Sequence, residues 1–224
     1  MSCSVVKNMN SQEHMTSYLQ QYGFQIEWIG PKSWVALYPK YRPSTFDEFE
    51  TIWNLHPKEH ATVKMFGKTV PIPRYQQSYG RDYAFSGNIA KSIQEPAYVA
   101  DMRLNINILF ADKYCFNGSL CNWYEPEHYI GPHSDDTRQL TPNSPIVSIS
   151  WGCSRKFSLK KKNKTNDELQ DISLILEDGD LLIMGGECQS THKHEILKSK
   201  KIINEEKQKN RINFTFRCFK NKFN

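Results

Sequence analysis

Nine residues near the end of the chain constrain its fold more than any other stretch: Arg211-Ile212-Asn213-Phe214-Thr215-Phe216-Arg217-Cys218-Phe219. Polar and apolar side chains alternate, and an extended backbone sends successive side chains to opposite faces. Arg211, Asn213 and Arg217 therefore share one face, while Phe214 and Phe216 point the other way, into the interface with a second sheet. The same period runs through Pro145-Ile146-Val147-Ser148-Ile149-Ser150-Trp151. Ile172 to Leu176 and Leu181 to Met184 are short apolar runs divided by Glu177-Asp178-Gly179-Asp180, a strong turn. Short strands with closely spaced turns predict an antiparallel sandwich or barrel from about residue 116 onward.

The first hundred residues read as helix and loop. Asn10 and Ser11 are placed to cap a short helix with Met15, Tyr18, Leu19 and Tyr22 along one face. Thr45-Phe46-Asp47-Glu48 is a capping-box pattern, and Phe46, Phe49, Ile52 and Trp53 follow at helical spacing. Pro96 suits the first turn of a third helix carrying Val99, Met102 and Ile106. The 224 residues, 38% hydrophobic and 12% aromatic, can build a packed core and exclude a disordered chain. No run approaches the ~18 apolar residues of a membrane helix, and the first residues lack the apolar region of a secretion signal. A protein of the cell interior without a membrane partner is expected. Six scattered cysteines without a CxxC fit reduced thiols.

Charge is uneven. Lys and Arg number 29 against 24 Asp and Glu, a formal +5. Arg155 to Lys164 packs six cations into ten residues, and Lys198 to Lys222 holds nine against Glu205 and Glu206. Two basic tracts suit a polyanionic partner, although lysine-rich loops are as often simply solvated.

His133-Ser134-Asp135 places an imidazole and a carboxylate at i and i+2, on one side of an extended chain. His194, just beyond the Leu181–Met184 strand and Gly185-Gly186, is the natural third ligand. Two histidines and a carboxylate on one face of an octahedron form the facial triad of non-haem Fe(II) oxygenases. A 2-oxoglutarate cosubstrate carries two carboxylates, and the planar fork of arginine matches them. Arg211 and Arg217, with Asn213 between them, offer that chemistry, and Asn122 and Tyr124 stand at i and i+2 upstream of the histidine motif.

Together Asn122-x-Tyr124, His133-x-Asp135-Asp136, His194 and Arg211-Ile212-Asn213-Phe214-Thr215-Phe216-Arg217 resemble the AlkB family of Fe(II)/2-oxoglutarate dioxygenases. Val70 to Gly80 and Tyr83-Ala84-Phe85-Ser86-Gly87 resemble the nucleotide-recognition region of its eukaryotic-type DNA-repair branch, and Ser144 to Gly152 the strand after the metal motif. The resemblance covers roughly residues 45–220. It implies an α+β fold: a double-stranded β-helix (jelly-roll) core with N-terminal helices and a nucleotide-recognition lid. Residues 1–44 would form an extension with a short helix, 45–115 helices and lid, and 116–224 the jelly-roll core, in one compact unit.

The resemblance also implies roles. His133, Asp135 and His194 would hold Fe(II). Arg211 with Asn213 would anchor the distal carboxylate of 2-oxoglutarate, Arg217 would sit beside its metal-binding end, and Asn122 and Tyr124 would hydrogen-bond it. With O2, the N-methyl group of 1-methyladenine or 3-methylcytosine in alkylated DNA would be hydroxylated and released as formaldehyde, after the base is flipped out of the helix. Phe85 and the His133 ring would sandwich the base, with Tyr83 and Ser86 beside it. Asp136 would accept a hydrogen bond from the exocyclic amine or, alternatively, pair with Arg138. Val63 and Phe66 fall where the duplex-repair branch carries an apolar finger, though ordinary core is an equal alternative. Arg74 and the Arg155–Lys164 hairpin would grip phosphates. The loop between Gly80 and Tyr83 is shorter than in human-type relatives, and a lysine-rich insertion, Lys198 to Lys209, separates His194 from Arg211. Competing assignments are an RNA demethylase or protein hydroxylase of the same class, a non-catalytic nucleic-acid-binding module, and a zinc site from Cys188, His192, His194 and Cys218.

Overall fold

A computed structural model describes residues 11–65, 67–85, 87–111, 113–198 and 208–220. In chain order its elements begin with α1 (Ser11–Gln21), β1 (Gln25–Gly30), β2 (Ser33–Tyr38), α2 (Phe46–Trp53), β3 (Thr62–Met65) and β4 (Lys68–Pro71). They continue with β5 (Tyr75–Tyr79), β6 (Tyr83–Phe85), β7 (Asn88–Ala90), β8 (Ser92–Ile93), α3 (Ala97–Leu109), β9 (Gly118–Tyr124) and β10 (Ile130–His133). The last are β11 (Ile146–Gly152), β12 (Arg155–Lys161), β13 (Ile172–Leu176), β14 (Leu181–Gly186), α4 (Cys188–Thr191), β15 (His192–Ile196) and β16 (Arg211–Arg217).

An eight-stranded sheet runs β1-β2-β14-β11-β16-β9-β5-β8, and a four-stranded sheet runs β10-β15-β12-β13. The two form the jelly-roll sandwich, with β16 at the centre of the large sheet, flanked by β9 and β11 in antiparallel register. Two hairpins, β3-β4 and β6-β7, stand apart from both sheets.

The alternation of β16 divides the large sheet into two environments. Ile212, Phe214 and Phe216 share a dry core with Cys121, Trp123, Val147, Ile149 and Trp151 and with helix residues Met15, Leu19, Phe49, Ile52, Val99, Met102 and Ile106. The interface that buries Phe214 and Phe216 is thus made with the helices, not with the second sheet. A helix offers a continuous apolar stripe that a flat apolar face can cover, and three helices do so here. The opposite face carries Leu120, Tyr124, Leu182 and Met184, which join Phe157, Leu176 and Ile196 of the small sheet in a second core.

The N-terminal half corrects the sequence expectation most. It is not helix and loop: β1 and β2 form a hairpin whose second strand pairs with β14, and β5 pairs with β9. Gln25-Ile26-Glu27-Trp28 alternates over only four residues, too short a run to stand out beside the central strands. The large sheet therefore runs across both 44/45 and 115/116.

The helices form where expected. Thr45 and Glu48 make a reciprocal capping box, and Phe49 and Ile52 are buried, whereas Phe46 is 75% exposed. In α1, Met15 and Leu19 are buried but Tyr22 lies past the helix end and is exposed. Pro96 caps α3 rather than sitting in its first turn, and Val99, Met102 and Ile106 are its buried stripe. Asn10, Phe66, Ser86 and most of the Lys198–Lys209 insertion lie outside the described residues.

Close approach fixes Gly185, at the end of β14. A Cβ there would enter the ring of Trp34, which is buried on the paired strand β2 with its indole N–H bonded to Gln12. Gly185→Ala is expected to destabilise the protein by about 1–3 kcal/mol through overpacking. Urea denaturation measures this, and a variant as stable as the parent would refute the tight β2-β14 packing.

Candidate active site

Cross-strand register brings the two histidines together. His133 ends β10 and lies directly opposite His194 on β15, with ring centroids 4.2 Å apart. Asp135 follows His133 by two residues and is almost wholly buried. Its Oδ1 lies 3.8 Å from His133 Nε2 and 3.9 Å from His194 Nε2. Among the described residues these three form a group of nitrogen and carboxylate donors close enough to share one cation.

Surrounding bonds set the state of each donor. His133 Nδ1 lies 2.9 Å from the Gly131 carbonyl; as the donor to it, Nδ1 carries the ring proton and leaves Nε2 a lone pair for metal. Burial drives His194 down to about 3 and holds His133 below its ordinary range, so both rings are neutral near pH 7. Burial alone would raise Asp135, but Arg217 and the two histidines outweigh it and keep the carboxyl far below the usual carboxylate range. Arg217 donates Nε and Nη2 to Asp135 Oδ2 at 2.9 and 2.6 Å. Tyr83 donates its hydroxyl to Oδ1 at 3.2 Å and lays its ring 4.3 Å from the Arg217 guanidinium. Arg217 thus claims one carboxylate oxygen and leaves the other turned toward the histidines.

These groups line a cavity of about 700 Å³ between the sheets. Even-numbered positions of β9 and odd-numbered positions of β16 supply its wall: Leu120, Asn122 and Tyr124, then Arg211, Asn213, Thr215 and Arg217. Arg211 is 1% exposed, donates Nη2 to Ser150 Oγ at 3.0 Å, and leaves Nε and Nη1 buried without hydrogen-bond partners. Burial lowers it to about 10, and its guanidinium carbon lies 5.1 Å from the Tyr124 ring. A buried arginine with free N–H groups and no carboxylate is a site built for an anion, as 2-oxoglutarate requires. Asn213, by contrast, is already engaged, donating to the Ile149 carbonyl and accepting from Thr215.

Several expected contacts move. Arg74 does not reach out to phosphates: it is 8% exposed, lines the cavity, and donates Nε to Asn122 Oδ1 at 2.9 Å. Arg155 is likewise buried, donating to the carbonyls of Glu125 and Pro126, while Lys160 pairs with Glu195 and Lys162 bonds the Gln189 carbonyl. Arg155, Lys160, Lys161 and Lys162 are thus engaged within the chain, although only Arg155 is buried. Asp136 lines the cavity but its carboxylate is taken by Arg138. Val63 of β3, Phe85 of β6 and His133 line the same cavity, each half-buried. Tyr83 proves to be a partner of the metal carboxylate more than a wall for a base. The zinc alternative does not assemble: Cys188 donates to the Trp34 carbonyl, His192 is satisfied by Thr191 and Gln170, and burial pushes the thiols of Cys188 and Cys218 to about 12. Gln76, Ser148, Thr215 and Gln189 went unnoticed. Thr215 was legible in the alternation of β16, whereas Gln189, whose side-chain oxygen accepts from the Asp135 amide at 2.8 Å, had no local signal.

The depressed histidines make stability depend on pH. The unfolded chain binds protons at its histidines below about 6.5 while the folded one resists, so stability is full above that pH and falls as pH drops toward the folded value. Each such histidine contributes a slope of at most about 1.4 kcal/mol per pH unit. Urea midpoints of the metal-free protein are expected to fall between pH 7 and 5, and less steeply in His194→Gln; an unchanged slope in that variant would contradict the buried neutral state.

Comparison with known proteins accords with this geometry. The family described as the 2OG-Fe(II) oxygenase superfamily matches residues 3–217. The human protein named DNA oxidative demethylase ALKBH2 is 32% identical over 165 residues, covering 70% of this chain and 60% of the relative, and its bovine counterpart is 32% identical with 57% of the relative covered. The rat alpha-ketoglutarate-dependent dioxygenase alkB homolog 3 is 32% identical over 110 residues, 46% of this chain and 36% of the relative. The chain therefore spans rather more than half the length of the mammalian ALKBH2 proteins it matches. The solved structure of OsALKBH1 shares the fold, with a TM-score of 0.54 at 18% identity over 87% of this chain and all of that one. With a matching family over nearly its whole length and the His133-Asp135-His194 triad beside an arginine-lined cavity, the chain belongs to the AlkB family of Fe(II)- and 2-oxoglutarate-dependent dioxygenases, whose cofactors are Fe(II), 2-oxoglutarate and O2.

Proposed function

We propose that this protein is an oxidative demethylase of N-alkylated bases in DNA, acting as a monomer in a DNA-containing compartment. One observation carries the proposal: the metal triad and a buried arginine whose Nε and Nη1 have no hydrogen-bond partner among the described residues open into a single cavity of about 700 Å³, with Val63 and Phe85 also lining it. The relatives named as DNA oxidative demethylases support it.

His133, Asp135 and His194 would hold the iron through the atoms that face one another, His133 Nε2, Asp135 Oδ1 and His194 Nε2. Bound iron with O2 and 2-oxoglutarate supplies the oxidation: one oxygen atom enters an N–CH3 group as hydroxyl, the other enters succinate, and carbon dioxide leaves. The N-hydroxymethyl product loses formaldehyde and returns the base. Arg211 would pair its fork with the distal carboxylate, oriented by Ser150 and backed by the Tyr124 ring. Arg217 keeps Asp135 ionised and oriented, so the carboxylate is ready before any ligand arrives. Because these groups lie inside a sandwich, a base must leave its helix to reach them. Phe85, from the β6-β7 hairpin and lining the cavity, would hold it.

The direct test is incubation with Fe(II), 2-oxoglutarate and oligonucleotides bearing 1-methyladenine or 3-methylcytosine, as single- and double-stranded DNA and as RNA, followed by mass measurement. Loss of the methyl group from DNA, coupled to succinate formation and abolished by His133→Ala, is expected. Turnover confined to RNA would favour the RNA alternative, and none on any strand would defeat the proposal. Arg211→Met should raise the KM for 2-oxoglutarate about tenfold or more, the loss expected for a charged hydrogen bond, while sparing metal affinity. An unchanged KM would remove Arg211 from the anion site.

A further inference from the structure

A second buried arginine faces the cavity from the lid side. Arg74 lies between β4 and β5, 8% exposed, and as with Arg211 no carboxylate contacts it among the described residues. Its Nε donates to Asn122 Oδ1 at 2.9 Å and its Nη2 to Gln76 Oε1 at 3.3 Å. Gln76 is itself 7% exposed, lines the cavity, and leaves its amide nitrogen buried with no hydrogen-bond partner. Register explains the convergence: Gln76 on β5 lies opposite Asn122 on β9, so both side chains occupy the inner face of the large sheet. Their two acceptor oxygens both turn to Arg74. With those oxygens engaged, the Gln76 amide nitrogen is left buried without a hydrogen-bond partner among the described residues, beside a guanidinium that can only donate.

A donor-only cluster has a defined complement. Leaving such groups buried and unmatched costs free energy, so a ligand that lies against them must bring an acceptor oxygen. Arg74 and Gln76 line the same cavity as His133, Asp135 and His194, which places the cluster on the wall of the candidate active site rather than on the outer surface. Alkylated bases differ there. In 3-methylcytosine the alkylated ring nitrogen is flanked by a carbonyl oxygen, whereas in 1-methyladenine it is flanked by a C–H and an amine. Positive charge on the alkylated base also makes a bare arginine neighbour unfavourable unless an acceptor atom intervenes.

We infer that Arg74 and Gln76 form a carbonyl-reading site, which recognises the exocyclic oxygen beside the alkylated nitrogen of a pyrimidine and makes no equivalent contact with 1-methyladenine. The inference rests on the demethylase function proposed above. Asn122 positions the arginine from the cosubstrate side, so the same guanidinium stands between the two ligands.

The test compares kcat/KM on 3-methylcytosine and 1-methyladenine in otherwise identical single-stranded DNA, for the parent, Arg74→Met and Gln76→Leu. Removing the site is expected to lower the 3-methylcytosine to 1-methyladenine ratio about tenfold in Arg74→Met and in the same direction in Gln76→Leu, with the KM for 2-oxoglutarate unchanged. Equal losses on both lesions that steepen at high salt would make Arg74 a phosphate contact and overturn the inference, as would a parallel rise in the 2-oxoglutarate KM. Should Arg74→Met fail to fold, Arg74→Lys and Gln76→Leu read the same ratio, and a ratio unmoved in both overturns it. If the parent demethylates neither oligonucleotide, the demethylase proposal falls first and this site with it.

Discussion

The buried pair of Asp135 and Arg217 is the contact around which the site is organised. Carrying a carboxylate and a guanidinium out of water is repaid only when geometry is good and remaining donors and acceptors are matched. Here Nε and Nη2 converge on Oδ2, Tyr83 and the histidines surround Oδ1, and the Gln189 side chain accepts from the Asp135 amide. The two partners are 82 residues apart in the chain, so the pair also ties the β10 loop to the central strand. Its chemical result is a carboxylate held ionised in a site where burial alone would neutralise it.

That arrangement depends on the two-sided character of the large sheet. One face is dry and is sealed by α1, α2 and α3 through residues such as Phe49, Met102 and Ile106. With stability drawn from that side, the other face is free to carry Gln76, Asn122, Arg211, Asn213 and Arg217, a set no ordinary core would accept. The small sheet faces this polar side through Phe157, Leu176 and Ile196, which themselves line the cavity between the sheets. Stability and chemistry thus occupy opposite sides of the same strands, and period-two alternation keeps them apart.

Much of this was legible in the chain, for local reasons. The β16 alternation, the Glu177–Asp180 turn and the Thr45 capping box are short-range patterns whose residues determine their own geometry. The iron ligands were legible because His133 and Asp135 lie two apart on an extended segment. Less legible were β1, β2 and β5: they are strands because neighbours in the sheet make them so, and sequence windows do not contain their neighbours. Charge misled for the same reason. Arg74 and Arg155 look like phosphate grips among surface lysines, yet backbone carbonyls and amide side chains from distant strands draw both inside.

By itself the sequence determined the strand period, the helix caps and which residue types stand ready to bind metal and carboxylate, because those depend on spacing along one backbone. Tertiary structure alone decided which arginines are buried, which one holds Asp135 and which line the cavity. Exposure, desolvation and the partner of a guanidinium are properties of what the fold packs around it. Arg217, Arg211 and Arg74 are the same side chain with three different neighbourhoods, and only the fold separates the ion pair with Asp135 from the guanidinium beside Ser150 and the one held by Asn122 and Gln76.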